Sequence, residues 1–243
     1  MMRILTWNIA ALHKYINWNN DPRNRISMII ENMLNADADI ICLQEVFDYG
    51  IQKYIIDRME EAGYQIHFST DRAHVFPKNG LMTLTRFQIQ DRIELDYNKS
   101  IGMEKWINKG ILTTRIRTSL LGTIYVHNTH TQSDTRFWPR YFSQRCRNHQ
   151  FSILKQHIAN LDNCFDAQFV AGDMNDNFNV INAIFNTLKN NKESITTFPK
   201  SNKQLDYIMA NDANLVMRHS VKECRANETS DHHMLICEID IPS

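Results

Sequence analysis

The sequence is short of the residues that separate domains. Among its 243 residues there are only 7 glycines and 5 prolines, and no stretch rich in Gly, Ser or Pro divides the chain. Such stretches form the linkers between domains, and the chain also has no internal repeat and no low-complexity segment. A chain of this length is able to bury one large α/β core. We therefore expect a single domain over residues 1–243.

Cysteine and excess charge are also scarce. The 5 cysteines are odd in number and scattered, and no two have the CxxC spacing of a metal or redox site. We therefore expect free thiols in a reducing compartment rather than a disulfide framework. The 27 basic residues balance 27 acidic ones, so no overall field draws the protein to nucleic acid or to an anionic membrane. A local basic patch would still serve either partner.

Long apolar segments are missing as well. The N-terminus lacks the apolar stretch and small-residue cleavage site of a signal peptide, and no run is long enough to cross a bilayer. The sequence therefore predicts a cytoplasmic protein without a transmembrane segment, which we expect to be a monomer.

The chain does contain short apolar runs that lead into polar side chains. Residues 169–176 read Phe-Val-Ala-Gly-Asp-Met-Asn-Asp, in which a buried strand leads to Asp173 and Asn175. If the chain stays extended there, side chains two residues apart point to the same side, and these two converge. The alternative is an ordinary turn, since Gly, Asp and Asn are all common turn formers.

Three earlier strands have the same design. Residues 3–9 carry Asn8 near their end, residues 39–46 carry Glu45, and residues 123–130 end in His130. Strand parity places His127 on the opposite face from His130, so these two histidines are not expected to share a metal. Apolar residues at helical spacing predict amphipathic helices over residues 26–34, 51–62, 151–161 and 181–188.

Two later strands reverse the order of polar and apolar residues. Residues 205–209 and 230–239 place their polar groups before the apolar run. If these strands run antiparallel to the earlier ones, their beginnings lie where the others end. One rim of the sheets would then gather Asn8, Glu45, His130, Asp173, Asn175, Asp206, Asp231 and His232.

This rim is rich in carboxylates, amides and imidazoles, and the chain has no serine or cysteine nucleophile motif. That combination points to metal-assisted attack by water. Glu45 and Asp231 are candidates to hold Mg²⁺, which prefers one or two carboxylates. His232 oriented by Asp206 suits a general base. Hydrogen bonds to a phosphoryl group would come from His130 and Asn175.

Residues 132–147 interleave aromatic residues with arginines. Aromatic faces and guanidinium groups hold nucleobases and phosphates, so Arg136, Trp138 and Arg140 are predicted to bind substrate. The alternative is the start of a helix with a packed apolar face and solvated arginines.

Six motifs, in order along the whole chain, resemble those of the endonuclease/exonuclease/phosphatase superfamily, which has the DNase I-like fold. They are Leu5-Thr6-Trp7-Asn8, Leu43-Gln44-Glu45-Val46, Thr129-His130, Gly172-Asp173-Met174-Asn175, Leu205-Asp206-Tyr207-Ile208 and Ser230-Asp231-His232. The resemblance implies a four-layer α/β sandwich, with two mixed β-sheets face to face and helices outside. It also implies cleavage of a phosphate ester by activated water with Mg²⁺, or Mn²⁺ in its place.

The resemblance further implies roles for the rim residues. The metal site would contain Asn8, Glu45 and Asp231. The groups that position the attacking water and the phosphate would be Asp173 and Asn175. The general base would be His232, paired with Asp206, while His233 would be a strand residue.

The substrate depends on the branch of the superfamily. Residues 45–48 and Asn108-Lys109-Gly110 resemble neutral sphingomyelinases, which predicts a phospholipid substrate. However, residues 210–229 are too few for the long apolar hairpin that secreted bacterial sphingomyelinases press into membranes. The opening and closing motifs also resemble tyrosyl-DNA phosphodiesterases, so DNA or RNA is the alternative. An inactive binding module is disfavoured, because every expected catalytic position is occupied.

Overall fold

A computed structural model describes residues 1–12, 22–70, 72–73, 76–135, 138–161, 165–212, 214–225 and 228–241. Within these ranges the strands are β1 (Met2–Ala11), β2 (Ile40–Val46), β3 (Gln65–Phe68), β4 (Arg72–Ala73), β5 (Phe76–Pro77), β6 (Met82–Thr85), β7 (Gln88–Asp96), β8 (Gly110–Thr118), β9 (Gly122–His130), β10 (Ala167–Asp173), β11 (Asp206–Ala210), β12 (Val216–Lys222) and β13 (Met234–Asp240). The α-helices are α1 (Ile26–Ala36), α2 (Tyr49–Glu61), α3 (Arg140–Asn160) and α4 (Phe178–Ile184). Short 3-10 helices cover Pro22–Asn24, Gly102–Trp106 and Pro199–Ser201.

Two mixed sheets contain all the described strands except β4 and β5, which pair with each other. The six-stranded sheet has the order β12-β13-β1-β2-β6-β3, and the five-stranded sheet has the order β11-β10-β9-β8-β7. The pairs β1–β2 and β9–β10 are parallel, while β13 and β11 run antiparallel to β1 and β10. The predicted reversal of the two late strands is therefore confirmed.

Apolar side chains divide the molecule into four layers. Ile4 and Phe169 belong to the core between the two sheets. Trp7 points to the other side of β1 and packs in the core beneath α1 and α2, because successive strand residues face opposite ways. Val170 and Tyr207 pack in the core beneath α3 and α4. The order helices, sheet, sheet, helices is the four-layer sandwich that the sequence predicts.

The predicted helices form, but two of them differ in extent. Helix α3 begins at Arg140, so it extends the helix predicted from residue 151 back into the helix start that was the alternative for residues 132–147. Helix α4 ends at Ile184, whereas the apolar spacing predicted a helix to residue 188. The helix stops there because Lys189 pairs with Ala210, the last residue of β11.

Among the described residues no helix is both long and apolar enough to span a membrane. The cysteines in the described ranges, Cys42, Cys146, Cys224 and Cys237, are free thiols.

The parallel strands β9 and β10 approach each other closely at Gly172. Its φ is +146°, and a Cβ atom there would lie 1.9 Å from the carbonyl oxygen of Thr129. Only glycine fits without displacing the backbone of β9. The next residue, Asp173, is paired with His130 on β9 and with Asp206 on β11. The close approach therefore sets the register that brings three predicted site residues together.

We expect Gly172→Ala to lower the free energy of unfolding by about 3 kcal/mol or more, because the new methyl group collides with backbone in an unfavourable φ region. Gly63→Ala is the matched control: Gly63 also has a positive φ, +86°, but nothing lies within 4 Å of its added Cβ. That control should cost about 1 kcal/mol. Urea denaturation of both variants measures the difference, and equal losses would contradict the close-approach explanation.

Candidate active site

The polar side chains predicted to share a rim do meet at one edge of the sandwich. Asn8 lies at its centre, where Nδ2 donates hydrogen bonds to Glu45 Oε1 at 3.0 Å and to Asp173 Oδ2 at 3.1 Å. Glu45 belongs to the six-stranded sheet and Asp173 to the five-stranded sheet. One amide therefore connects the two sheets at the site.

Asp206 and His232 form a buried pair beside this cluster. His232 Nδ1 lies 2.8 Å from Asp206 Oδ2, and His232 Nε2 lies 3.8 Å from Asp173 Oδ2. Burial by itself would lower the pKa of His232, but the negative charge of Asp206, their hydrogen bond and the charges of Asp173 and Asp231 raise it to about 10. Without a bound cation, His232 is therefore an imidazolium.

Several groups that the sequence analysis did not assign hold His232 in place. The Ser230 hydroxyl donates to the carbonyl of Asn8 at 2.6 Å and accepts from the backbone N–H of His232 at 3.1 Å. The indole N–H of Trp7 donates to the carbonyl of His232 at 3.0 Å. The ring of Phe198 lies 4.8 Å from the imidazole, centre to centre. These contacts fix both the backbone and the ring.

For Glu45 and Asp173, burial raises the pKa by more than the nearby positive charges of His232 and Lys109 lower it. Burial, together with the negative charge of the nearby Asp206, raises the pKa of Asp173 to about 7, although Asp173 accepts a hydrogen bond from Asn8 that lowers its pKa. Burial also raises the pKa of Glu45, whose φ of +60° is unusual for a residue with a side chain. In addition, Asp206 Oδ1 is buried and has no hydrogen-bond partner among the residues that the structure describes. Crowded hard oxygen donors of this kind fit a divalent cation.

Lys109 is a site residue that the sequence analysis missed. It is fully buried, and its Nζ lies 2.9 Å from His130 Nε2, 2.6 Å from the carbonyl of Thr131 and 3.0 Å from Glu104 Oε1. Burial and then the charge of Lys109 keep the pKa of His130 well below its ordinary value. His130 is thus neutral, and its Nε2 accepts from Lys109. The signal was the turn Asn108-Lys109-Gly110, which the sequence analysis used to indicate the branch of the superfamily without giving its lysine a role in the site.

Asn175 reaches the site by a different route from the predicted one. Its φ is +50°, so the chain is not extended after Asp173. Instead its backbone N–H donates to Asp173 Oδ1 at 2.9 Å, and its side-chain amide donates to the carbonyl of Thr131 at 3.1 Å. The two residues converge through a tight turn that the aspartate stabilises.

In the segment 132–147 the helix start of the alternative is confirmed at Arg140, but its aromatic face is not packed and its arginines are not all solvated. Arg147 is fully buried, with Nε 3.1 Å from Asp176 Oδ2 and Nη1 2.8 Å from Asp134 Oδ1. Trp138, by contrast, is half exposed. Arg140 lies 3.4 Å from Asp134 and faces the pocket. Arg136 lies outside the described residues.

A pocket of about 500 Å³ opens over the cluster. The predicted site residues in its wall are Glu45, Arg140, Asp173, Asn175, Asp231 and His232, whereas Asn8, His130, Asp206 and Trp138 do not line it. Its cationic residues are Arg25, Arg140, Lys200 and Lys203. Lys200 Nζ lies 2.9 Å from Asp231 Oδ2, so the acidic wall and the basic wall meet there. A pocket with carboxylates on one side and cations on the other suits a phosphate ester and a cation together.

Residues 5–232 match the model of the Endonuclease/Exonuclease/phosphatase family. The fold and this family together define a phosphoric ester hydrolase with a DNase I-like architecture. The chain belongs to that family. A comparison of the sequence with curated proteins gives no match.

Solved structures with the same fold cover almost the whole chain. A mutant of beta toxin from Staphylococcus aureus with bound magnesium ions has a TM-score of 0.76 at 17% identity, over 97% of this chain and 98% of that one. Sphingomyelinase C from Streptomyces griseocarneus has a TM-score of 0.75 at 16% identity, over 97% and 98%. TDP2 of D. rerio, complexed with a single-strand DNA product, has a TM-score of 0.73 at 14% identity, over 98% of both chains. At these identities the likeness shows the fold alone.

Proposed function

We propose that the protein is a Mg²⁺-dependent phosphodiesterase that uses activated water to cleave a phospholipid, in the manner of a sphingomyelinase, with Mn²⁺ as an alternative ion. One observation carries the reaction type: His232, which is paired with Asp206, lines the same pocket as Glu45 and Asp173, which Asn8 connects. A general base thus lies beside a cation-binding group, which is what hydrolysis by activated water needs. We further propose that residues 1–243 form one domain, because β1 and β13 from opposite ends of the chain pair directly.

In this proposal Glu45, Asn8 and Asp231 hold the divalent cation. The raised pKa values of Glu45 and Asp173 support the assignment, because a bound cation would stabilise the ionised form of both carboxylates. When bound, the cation supplies charge that binds a phosphoryl oxygen and offsets the carboxylates. Asp173, Asp206 and His232 also place ligand atoms within 4.8 Å of one another. We assign these three to proton transfer instead, because Asp206 already occupies His232 Nδ1.

His232 is proposed as the general base. Asp206 fixes the tautomer that leaves Nε2 free to take a proton, and Asp173 lies beside Nε2 to orient the water. Neutralising the carboxylate charge would lower the pKa of His232, so that the ring is able to act as a base near neutral pH. Phe198 covers one side of the imidazole and limits its access to bulk water.

His130 and Asn175 are proposed to bind the phosphoryl group. His130 Nε2 lies 3.6 Å from Asp173 Oδ2 and 3.9 Å from Glu45 Oε1, at the centre of the cluster. Because this nitrogen accepts from Lys109, His130 would act on the phosphoryl group by holding the ammonium of Lys109 there. Lys109 brings a fixed positive charge to the same place through its contact with His130. Such preorganised charge stabilises the negative charge that builds up in the transition state.

DNA or RNA is the alternative substrate, as for a nuclease or a tyrosyl-DNA phosphodiesterase. The cationic residues Arg140, Lys200 and Lys203 in the pocket favour it, because nucleic-acid affinity comes largely from phosphate contacts. We favour the phospholipid because the chain as a whole has no excess of positive charge.

The test is a substrate panel of sphingomyelin, phosphoinositides, DNA, RNA and a 5′-tyrosyl oligonucleotide, assayed with Mg²⁺, with Mn²⁺ and with a chelator. We expect cleavage of sphingomyelin that the chelator abolishes. Cleavage of the nucleic acids alone would select the alternative substrate. Chelator-resistant cleavage would contradict the cation site, and no cleavage of any substrate would favour an inactive binding module.

Trp138→Ala and Arg140→Ala distinguish the two substrates kinetically. With a choline lipid, Trp138→Ala should cost about 0.5–2 kcal/mol in kcat/KM through loss of a cation–π contact, while Arg140→Ala should be mild and salt dependence shallow. With a nucleic acid, both variants should weaken binding and salt should weaken it steeply. Arg58→Ala is the matched control, since Arg58 is exposed on α2, in the opposite outer layer, and does not line the pocket. If neither variant changes the kinetics of any cleaved substrate, this segment does not bind substrate.

A further inference from the structure

Five large apolar side chains are exposed beside the pocket. Met103 and Trp106 in the helix Gly102–Trp106 are 69% and 58% exposed. Trp138, Tyr141 and Phe142, around the start of α3, are 50%, 67% and 44% exposed. We call these five residues the aromatic rim. An exposed apolar patch of this kind marks an interaction surface more often than chance.

Hydrogen bonds between neighbouring residues hold the segments that carry the two halves of the aromatic rim side by side, next to the pocket. The Ser133 hydroxyl donates to Glu104 Oε1 at 2.8 Å, and the backbone N–H of Ile101 donates to Gln132 Oε1 at 2.8 Å. Ser133 and Asp134 also line the pocket. The aromatic rim is therefore one surface that borders the opening over the candidate active site.

The first turns of α3 are built with their polar side inward. Trp138, Tyr141, Phe142 and Arg145 follow helical spacing and face outward. Cys146, Arg147 and Gln150 are buried on the other side, where polar groups pair with one another and with the loops. An ordinary surface helix has the opposite arrangement, so the outward apolar face is not needed for the core.

The charge around the aromatic rim is positive. Lys99, Lys105 and Arg145 are exposed near it. The neighbouring acidic groups are already engaged: Glu104 lies 3.0 Å from Lys109 Nζ, and Asp134 lies 2.8 Å from Arg147. This local charge exists although the chain as a whole is neutral.

We propose that the aromatic rim docks the protein on a phospholipid bilayer that contains anionic lipid, with the pocket facing the surface. Trp and Tyr prefer the interface between water and lipid, Phe and Met insert between acyl chains, and Lys and Arg attract anionic headgroups. The proposal rests on the proposed action on phospholipid. The aromatic rim would be a membrane-docking surface in a different part of the chain from residues 210–229, which are too few for the apolar hairpin of secreted bacterial sphingomyelinases.

A nucleic acid fits this surface less well. Met103, the most exposed member, has no ring on which a base could stack. The rings of Trp138 and Phe142 pack at 77° to each other, and those of Tyr141 and Phe142 at 73°. Edge-to-face packing of this kind does not present a series of parallel faces to successive bases.

The test measures binding to vesicles in the Glu45→Gln background, so that the lipid stays intact. Vesicles of phosphatidylcholine, with and without phosphatidylserine, are sedimented with the protein. We expect binding that phosphatidylserine strengthens, and we expect Met103→Ser/Tyr141→Ser to weaken it about tenfold or more. Tyr54→Ser is the matched control and should change nothing, because Tyr54 is 41% exposed on α2, in the opposite outer layer.

Kinetics then separate docking from catalysis. In the active protein, the double substitution should slow hydrolysis of vesicle phospholipid by a similar factor. Hydrolysis of the soluble diester bis(4-nitrophenyl) phosphate should not change, because neither residue lines the pocket. If vesicle binding depends on the aromatic rim but no phospholipid is cleaved, the proposed substrate fails and the docking surface stands.

Three results would overturn the docking proposal. The first is vesicle binding that is absent or insensitive to the double substitution. The second is loss of binding to a single-stranded oligonucleotide in the double variant without any effect on vesicles, which would indicate a nucleic-acid surface. The third is a change from dimer to monomer by light scattering, again without an effect on vesicles, which would indicate contact with a second copy of the chain.

Discussion

Glu45→Gln is expected to lower the rate of hydrolysis by about 10³-fold or more, which corresponds to about 4 kcal/mol of transition-state stabilisation. The substitution keeps the size of the side chain and the acceptor for Asn8 Nδ2 but removes the charge that would hold a cation. Because burial already raises the pKa of Glu45, the folded protein gives up little by losing that charge. The free energy of unfolding without metal should therefore be unchanged or slightly increased.

The cation gives this prediction a second measurement that does not depend on activity. Ligands that bind only the folded state raise its stability with concentration, so Mg²⁺ should raise the Tm of the natural sequence. It should raise the Tm of Glu45→Gln much less. Glu94→Gln is the matched control, because Glu94 is exposed on β7 away from the pocket. Full activity in Glu45→Gln, or an undiminished response to Mg²⁺, would remove Glu45 from the cation site.

The rim of polar residues could be predicted because it depends on strand direction and parity. Asn8, Glu45 and Asp173 each come near the end of an apolar run, and Asp206 precedes one. The parallel pairing of β1 with β2 and the antiparallel pairing of β10 with β11 therefore bring them to the same edge of the two sheets. Strand parity also predicted correctly that His127 and His130 point to opposite faces of β9. His127 lies in a buried polar cluster, with Nδ1 2.9 Å from Thr113 Oγ1 and Nε2 3.0 Å from Gln168 Oε1.

The supporting contacts could not be predicted in the same way, because they depend on long-range packing. Lys109 contacts His130 because β8 pairs with β9. The local sequence does not indicate which strands are neighbours in the sheet. Arg147 is buried because Asp134 and Asp176 converge on it from two separate loops, whereas spacing alone indicated a solvated arginine. The left-handed backbone of Asn175 likewise follows from its bonds to Asp173 and Thr131.

Asp206 and His232 are expected to act as one unit in catalysis. If Asp206 orients His232, Asp206→Ala and His232→Ala should each lower kcat by about 10³-fold or more, and the double variant should lose little beyond that. Residues that serve the same chemical step have non-additive effects, because the step is already lost after the first substitution. The measurement is kcat for both single variants and the double variant, at saturating substrate.

Stability provides the independent readout for this pair. Breaking a buried charged pair by removing one partner costs about 3–5 kcal/mol, so each single variant should be less stable than the natural protein. Because the pKa of His232 rises from 6.5 to about 10 on folding, the stabilisation is fully present below pH 6.5 and is lost as the pH rises to about 10. In chelator, the stability difference between the natural protein and His232→Ala should therefore shrink across that range. A constant difference would mean that His232 is not charged in the fold, and strictly additive losses in kcat would mean that Asp206 supports the start of β11 rather than the base.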